Sequence, residues 1–193
     1  MLWDSIRYNL SNLITFSGRG SRKRFWPYAG IVLAAGMVGI LLLVVPEMNA
    51  AMARMQRFAA EHPELATETV GPGSYSISIE GNHPELLPDI VGLARRMGLM
   101  FVAPVLLLGA AVTRRLHDIN RSGWWALLPF PFLAFSFAEM PRVFSDIGDT
   151  DYSTGMLLTV SASNLLYNAL LIGVIVFLGF RSSGPNRFGD RPD

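Results

Sequence analysis

The chain has 193 residues, of which 51% are hydrophobic and only 16% are charged, and its mean hydropathy is +0.35. Soluble domains carry about 25% charged residues, so this composition favours a membrane protein and excludes intrinsic disorder. The absence of cysteine excludes disulfides, iron–sulfur clusters, thiolate zinc sites and cysteine nucleophiles. The length predicts a single membrane domain, residues 1–193.

The N-terminal segment carries apolar residues at helical spacing. Trp3, Ile6, Leu10 and Leu13 follow one another at intervals of three and four residues. This stripe predicts an amphipathic helix that lies in the membrane interface, before the first long apolar block.

Four long apolar blocks follow. Because the hydrocarbon core of a bilayer is about 30 Å thick, about 20 helical residues cross it. The blocks predict membrane spans at 26–45, 92–113, 123–140 and 156–180. The first is longer than the roughly 7–15-residue apolar core of a cleaved signal peptide, which favours a retained span. Pro129 and Pro131 predict that the third span is kinked or tilted.

The first and second predicted spans are joined by a long outer loop, residues 46–91. After Pro46, a stripe of Met48, Met52, Met55 and Ala59 has helical spacing, and residues 74–79 alternate in the manner of a strand behind a Gly-Pro-Gly turn. We therefore expect this loop to have structure of its own.

The charges predict the orientation. The N-terminus, the loop 114–122 and the tail from 181 hold 11 Lys and Arg against four acids, a net charge of +7, whereas residues 46–96 and 139–155 hold five arginines against 11 acids, a net charge of −6. Positive residues in short loops stay in the cytoplasm. Trp3, Trp26, Trp124 and Trp125 all fall at the same boundary, as in an interfacial aromatic belt. The fold predicted is an all-α, four-helix integral membrane protein with both termini in the cytoplasm.

Three motifs lie on the predicted cytoplasmic side: FSGRGSRKRFW at 16–26, TRRLHDINRSGWW at 113–125 and GPNRFGDRP at 184–192. At these residues the chain resembles a bacterial inner-membrane family, domain of unknown function 805. The resemblance implies a small multi-span protein of the bacterial inner (plasma) membrane, and it implies little chemistry. The long outer loop 47–89 and the acidic loop 139–151 depart from the family's pattern.

The motifs supply a cytoplasmic cluster that the sequence allows to be interpreted in two compatible ways. In one, Asp118 pairs with an arginine such as Arg114 or Arg121 and holds the inner loops together. In the other, the cations contact anionic lipid headgroups and the tryptophans act as anchors. The cluster comprises Arg19, Arg22, Lys23, Arg24, Trp26, Arg114, Arg115, His117, Asp118, Arg121, Trp124, Trp125, Asn186 and Arg187.

Catalysis is the weaker interpretation of these residues. His117 and Asp118 are adjacent at a helix end and have no nucleophile beside them, while His62 and His83 fall on the opposite side of the membrane. The sequence contains no HExxH, GxSxG or P-loop motif. We therefore expect a non-enzymatic protein with no catalytic residue, no cofactor and no metal site. The short basic stretch 19–24 favours lipid over nucleic acid as its partner.

Three polar residues, Ser161, Asn164 and Asn168, share one face of the fourth predicted span. Polar side chains within a span usually face another helix, so we expect these three to serve helix packing. The function predicted is that of a scaffold or accessory subunit, in a larger membrane complex or a homo-oligomer. The alternative is an oligomeric small-solute transporter or channel-like protein, whose polar path these side chains and Ser163 would line.

Overall fold

The computed structural model of the protein describes residues 1–145, 154–190 and 192. Within these residues the chain is mostly helical, with α1 at Leu2–Ser11, α2 at Arg22–Glu61, α3 at Ile90–Asp118, α4 at Phe130–Ser145 and α5 at Thr154–Gly179. The part of the predicted acidic loop that runs from 146 to 151 lies outside the described residues.

Helix α2 is 40 residues long and extends well beyond the predicted first span. It continues through Pro46, so the first 16 residues of the predicted outer loop 46–91 are a continuation of the span's own helix. Residues 50–61 are rich in Ala, Met, Arg, Gln and Glu, which are good helix formers and sustain the helix beyond the proline.

The remainder of the outer loop contains a small antiparallel hairpin of β1, Ala66–Gly71, and β2, Ser74–Ile79. Gly73 has a φ of +79°, which the second central position of a Pro-Gly turn requires. The strand predicted at 74–79 is therefore confirmed, and a mostly helical chain carries one two-stranded element. A 3₁₀ turn at Pro84–Leu86 leads into α3.

The predicted third span, 123–140, is not one continuous helix. A 3₁₀ turn occupies Gly123–Leu127, and α4 begins only at Phe130. Pro129 and Pro131 therefore mark the start of α4 instead of a kink within a span, because the first helical turn needs no hydrogen bond from their nitrogens. Within the described residues, three helices are long and apolar enough to cross a membrane: they lie at 22–61, 84–118 and 155–179.

The buried apolar core lies at one end of the bundle, where α2 begins and where α3 and α5 end. It is formed by Phe25, Tyr28, Ala29, Val32, Ala111, Leu116, Val174 and Leu178. Away from this end, large apolar side chains such as Leu165 (72% exposed) and Leu106 (69% exposed) point outward. The three sequence motifs all lie beside this core.

Candidate functional site

We call the end of the bundle that carries the three sequence motifs, where α2 begins and α3 and α5 end, the motif end. The carboxylate of Asp118, the last residue of α3, lies at its centre. The residue is fully buried. Its Oδ1 accepts hydrogen bonds from Nε and Nη2 of Arg19, at 3.2 and 3.0 Å. Its Oδ2 accepts from Nη1 of Arg115 and, at 2.5 Å, from the hydroxyl of Ser182. A buried charge must be paired and hydrogen-bonded, and here both carboxylate oxygens have donors.

Arg19 connects Asp118 to the C-terminal tail. Its side chain is 2% exposed. Its Nη2 donates to the carbonyls of Asp118 and Ser183, at 3.1 and 2.7 Å, and its Nη1 donates to the carbonyls of Gly184 and Gly189, both at 2.9 Å. A guanidinium group has five N–H donors in a fixed planar geometry, so a single side chain can hold these segments together.

Arg115 connects Asp118 to the end of α5. It is fully buried and lies one helical turn before Asp118. Its Nε donates to the carbonyl of Leu178 at 2.9 Å, and its Nη2 donates to the carbonyl of Phe180. These carbonyls belong to the C-terminal end of α5, where backbone oxygens lack helical partners and carry partial negative charge.

We call Arg19, Arg115 and Asp118 the ion cluster. Its formal net charge is +1, and the cation in excess is stabilised by the carbonyls at the end of α5 and along the tail. Removal of one member of a buried ion pair costs about 3–5 kcal/mol, because a charge is left buried without a partner. The ion cluster therefore joins four segments: the N-terminal turn, the end of α3, the end of α5 and the tail.

Arg114, beside the ion cluster, fixes the N-terminal segment. It is 2% exposed. Its Nη1 donates to the carbonyls of Asn12 and Thr15, at 2.6 and 2.5 Å, and its Nη2 donates to Oδ1 of Asn9 at 3.0 Å. The N–H of Gly20 donates to the carbonyl of Arg114 at 2.9 Å. The turn after α1 is thus bound directly to α3.

Helix α1 contacts the rest of the chain through Ser5, Asn9 and Ile6, a member of the predicted apolar stripe that packs against the core. Ser5 and Asn9 are buried, and both donate to the carbonyl of Arg24, at 2.5 and 2.8 Å. Trp3 and Leu10, from the predicted apolar stripe, are 72% and 46% exposed. The sequence analysis did not select Ser5 and Asn9, although their spacing of four residues places them on one helical face.

His117 holds the tail against α3. Its Nδ1 lies 3.1 Å from the carbonyl oxygen of Gly18, and its ring stacks on Phe188 with centroids 3.8 Å apart. A carbonyl only accepts hydrogen bonds, so this contact assigns the proton to Nδ1. The amide of Asn186 donates to the carbonyl of His117 at 3.0 Å, and its oxygen accepts from the N–H of Phe188 at 2.9 Å.

The other motif cations that the structure describes point outward. The exposed ones are Arg22, Lys23, Arg24, Arg121 and Arg187. Arg24 lies over the ring of Tyr8 at 4.9 Å, and Arg121 lies over Trp125 at 5.7 Å. Trp124 is 76% exposed, and Trp26 and Trp125 are each 38% exposed. The fourteen predicted site residues therefore divide into a set that holds the chain together and a set at the surface.

The partners of Asp118 differ from those expected. They are Arg19 and Arg115, whereas Arg114 binds the segment after α1 and Arg121 lies against aromatic rings. Both Arg114 and Arg115 lie within one helical turn of Asp118. Arg115 donates to its Oδ2, whereas Arg114 is directed to the carbonyls of Asn12 and Thr15. Ser182 and Ser183, which the sequence analysis did not select, complete the bonds to Asp118.

Contrary to the expectation, Ser161, Asn164 and Asn168 do not hydrogen-bond to another helix among the described residues. Asn164 and Asn168 are exposed and bond to each other, and Ser161 is also exposed. A polar contact between α5 and α4 is made by Ser163, whose hydroxyl donates to the carbonyl of Phe132 at 3.3 Å. The reason is geometric: Ser163 is on the side of α5 that faces α4.

The hydrogen bonds of Asp118 leave its carboxylate inaccessible to a substrate. A general acid or base must reach the proton that it transfers, whereas the carboxylate of Asp118 is enclosed by its donors. In the part of the chain that the structure describes, no three His, Cys, Asp or Glu residues are grouped to hold a metal ion.

Apolar helices that are long enough to cross a membrane, joined at one end by buried charges, define a small helical protein of membrane type. The chain belongs to the family described as "Protein of unknown function (DUF805)", whose model matches residues 13–190. No curated protein and no solved structure matches the chain.

Proposed function

We propose that the chain is a non-enzymatic protein of a bacterial inner membrane, with four spans and both termini in the cytoplasm, and that it serves as a scaffold or accessory subunit of a membrane assembly. The observation that carries this proposal is the ion cluster. The residues that make the motifs distinctive are used to fix the chain's own segments to one another, which is the expected use of such residues in a protein that presents a rigid surface.

The ion cluster also supports an even number of spans. Helix α2 leaves the cluster, and α3 returns to it at Asp118. Helix α5 returns to it again at Leu178. If α2, α3 and α5 each cross the membrane, the segment between α3 and α5 must cross it as well. The 3₁₀ turn at Gly123–Leu127 and the 16-residue α4 together span about 34 Å, enough for a hydrocarbon core of about 30 Å.

The exposed cations support a cytoplasmic face that contacts lipid. Lys and Arg near the cytoplasmic leaflet are attracted to anionic headgroups, and exposed tryptophans are favoured at that depth. The outward apolar residues of α1, Trp3 and Leu10, suit a helix that lies in the same interface. We therefore propose anionic phospholipid as the partner of this surface.

Single cysteines test the topology, because the chain has none of its own. Ser17→Cys and Pro185→Cys flank the ion cluster at exposed positions, and Ser76→Cys lies in the exposed hairpin. Four spans with both termini inside predict that an impermeant maleimide labels only Ser76→Cys in intact cells. Labelling of Pro185→Cys from outside, with Ser17→Cys protected, would mean an odd number of spans and would contradict the proposal.

The assembly role is tested by cross-linking in native membranes, followed by mild extraction, size-exclusion chromatography and mass spectrometry. A scaffold predicts another protein at fixed stoichiometry. Trp124→Ala, at an exposed motif position, is expected to reduce the recovery of that protein, whereas the equally exposed Trp3→Ala, outside the motifs, serves as the matched control. Recovery of this chain alone from native membranes would refute the role.

A further inference from the structure

Two amide side chains point outward from the middle of α5. Asn164 and Asn168 are both exposed, and they lie near the centre of the apolar segment Gly155–Gly179. Nδ2 of Asn168 donates to the carbonyl and to Oδ1 of Asn164, at 2.8 and 3.0 Å. Both bonds stay within α5, so neither connects the helix to a neighbour.

These bonds leave part of each amide unused. A primary amide has two N–H donors and an oxygen with two lone pairs. Among the described residues, the N–H donors of Asn164 and the side-chain oxygen of Asn168 have no partner. Hydrocarbon offers neither donor nor acceptor, so polar groups in a span are covered by other protein groups.

The two amides belong to a longer stripe on α5. Its members are Leu157, Ser161, Asn164, Asn168, Leu171 and Ile175, which follow one another at alternating intervals of four and three residues. This is the spacing of the seam in a left-handed helix pair. Ser163 and Val174, which bind α5 to its own chain, lie on a different face. Leu178, the next position of the stripe, is buried in this chain's own core, so the free part of the stripe ends at Ile175. The stripe is mostly exposed; Leu171 alone among its six residues is half-buried.

We propose that a second copy of this chain covers the stripe, with α5 packed parallel to α5 about a two-fold axis and with Asn164 and Asn168 paired across the interface. The unused donors of Asn164 match the unused acceptor of Asn168, so each copy supplies what the other lacks, as an isologous contact requires. Within one helix, Nδ2 of Asn168 already lies 3.0 Å from Oδ1 of Asn164, so the two amides stand close to the same level along α5. The proposal depends on α5 crossing the membrane and not on the scaffold role.

Single-cysteine cross-linking in isolated membranes tests this interface on the cysteine-free chain with both asparagines in place. Ser161→Cys and Ile175→Cys are on the stripe; Leu158→Cys and Leu165→Cys are also exposed, at 62% and 72% in the native residues, but are off it. After oxidation, the stripe positions are expected to give a species of twice the chain mass and the off-stripe positions are not. Equal cross-linking at all four, no cross-linking at any, or cross-links only to a different protein would each overturn the proposal.

A second measurement tests the amides themselves. Asn164→Leu combined with Asn168→Leu is expected to raise the dissociation constant of the dimer in bicelles about tenfold, since hydrogen bonds between helices strengthen association within membranes. The control is Ser163→Ala, which removes the bond to Phe132 within the protomer and leaves the stripe intact. A dimer unaffected by the double change would refute amide pairing. If the double variant fails to fold, the cysteine cross-linking still tests the interface. A monomer that co-purifies with another protein would refute this interface and leave the scaffold role standing.

Discussion

The motif end and the middle of the helices are held together in different ways. At the motif end, Arg19, Arg115 and Asp118 are buried and hydrogen-bonded to segments far apart in sequence. In the middle, Ser163 of α5 donates to the carbonyl of Phe132 in α4 at 3.3 Å, while large apolar side chains face outward. Lipid tails are as apolar as the side chains, so packing against protein gains little there. The tertiary structure therefore depends most on the motif end.

The strongest test of this contrast is Asp118→Ala. The change leaves the buried guanidinium groups of Arg19 and Arg115 without their carboxylate, and we expect it to lower the free energy of unfolding by about 3–5 kcal/mol. Chemical denaturation of the purified chain in mild detergent measures the loss. Asp190→Ala, an exposed acid in the C-terminal tail, is the control and is expected to leave the denaturation midpoint unchanged. Equal midpoints for the two variants would show that the ion cluster does not stabilise the fold.

Arg19→Lys tests whether the planar donor geometry of the guanidinium group stabilises the fold beyond its charge. A lysine keeps the cation but cannot reproduce the planar set of donors that reaches both the carboxylate and the carbonyls of the tail. We expect a loss of about 1.5–3 kcal/mol, the range for hydrogen bonds to charged groups. The same exchange at the exposed Arg22 is the control, and its denaturation curve is expected to match that of the unchanged chain. A stable Arg19→Lys variant would mean that charge alone is sufficient.

The long helices were easier to predict from the sequence than the segments that connect them. Apolar length alone indicates α2, α3 and α5, because a span needs about 20 apolar residues whatever its neighbours are. The hairpin was predicted at β2 because alternation and the turn residues are local signals. The helical spacing after Pro46 was predicted and is confirmed, but its continuity with the first span was missed, since a single proline weakens a helix without always ending it.

The pairing of Asp118 could not be predicted from local signals. Arg19 is 99 residues away in the sequence and is of the same residue type as several cations near it, so spacing does not distinguish it. The same limit applied to Asn164 and Asn168: their shared face was evident, but which helix they face depends on the rotation of α5 against α4. Ser163 faces α4 instead, only one position away from Asn164.

A smaller loss of stability is expected from a single neutral hydrogen bond in the buried core. Tyr28→Phe removes the hydroxyl that donates to the carbonyl of Leu107 and leaves the buried ring in place. Because the carbonyl belongs to a helix in an apolar segment, we expect a loss of about 0.6–1.5 kcal/mol, well below that of Asp118→Ala. Denaturation under the same conditions measures it, with Tyr75→Phe in the exposed hairpin as the matched control. A loss as large as that of Asp118→Ala would show that the ion cluster stabilises the fold no more than a neutral hydrogen bond does.

The smallest effect on stability is expected from replacing a surface cation. There the expected change is in the binding of anionic lipid. Lys23→Gln leaves the ion cluster intact, so the denaturation midpoint is expected to stay unchanged. One cation near an anionic membrane surface contributes about 1 kcal/mol, so the preference for phosphatidylglycerol over phosphatidylcholine in mixed nanodiscs should fall about fivefold by native mass spectrometry. Arg57→Gln, an exposed cation near the outer end of α2, is the control. If both variants reduced the preference equally, or if neither did, the basic motif end would have no special contact with anionic headgroups.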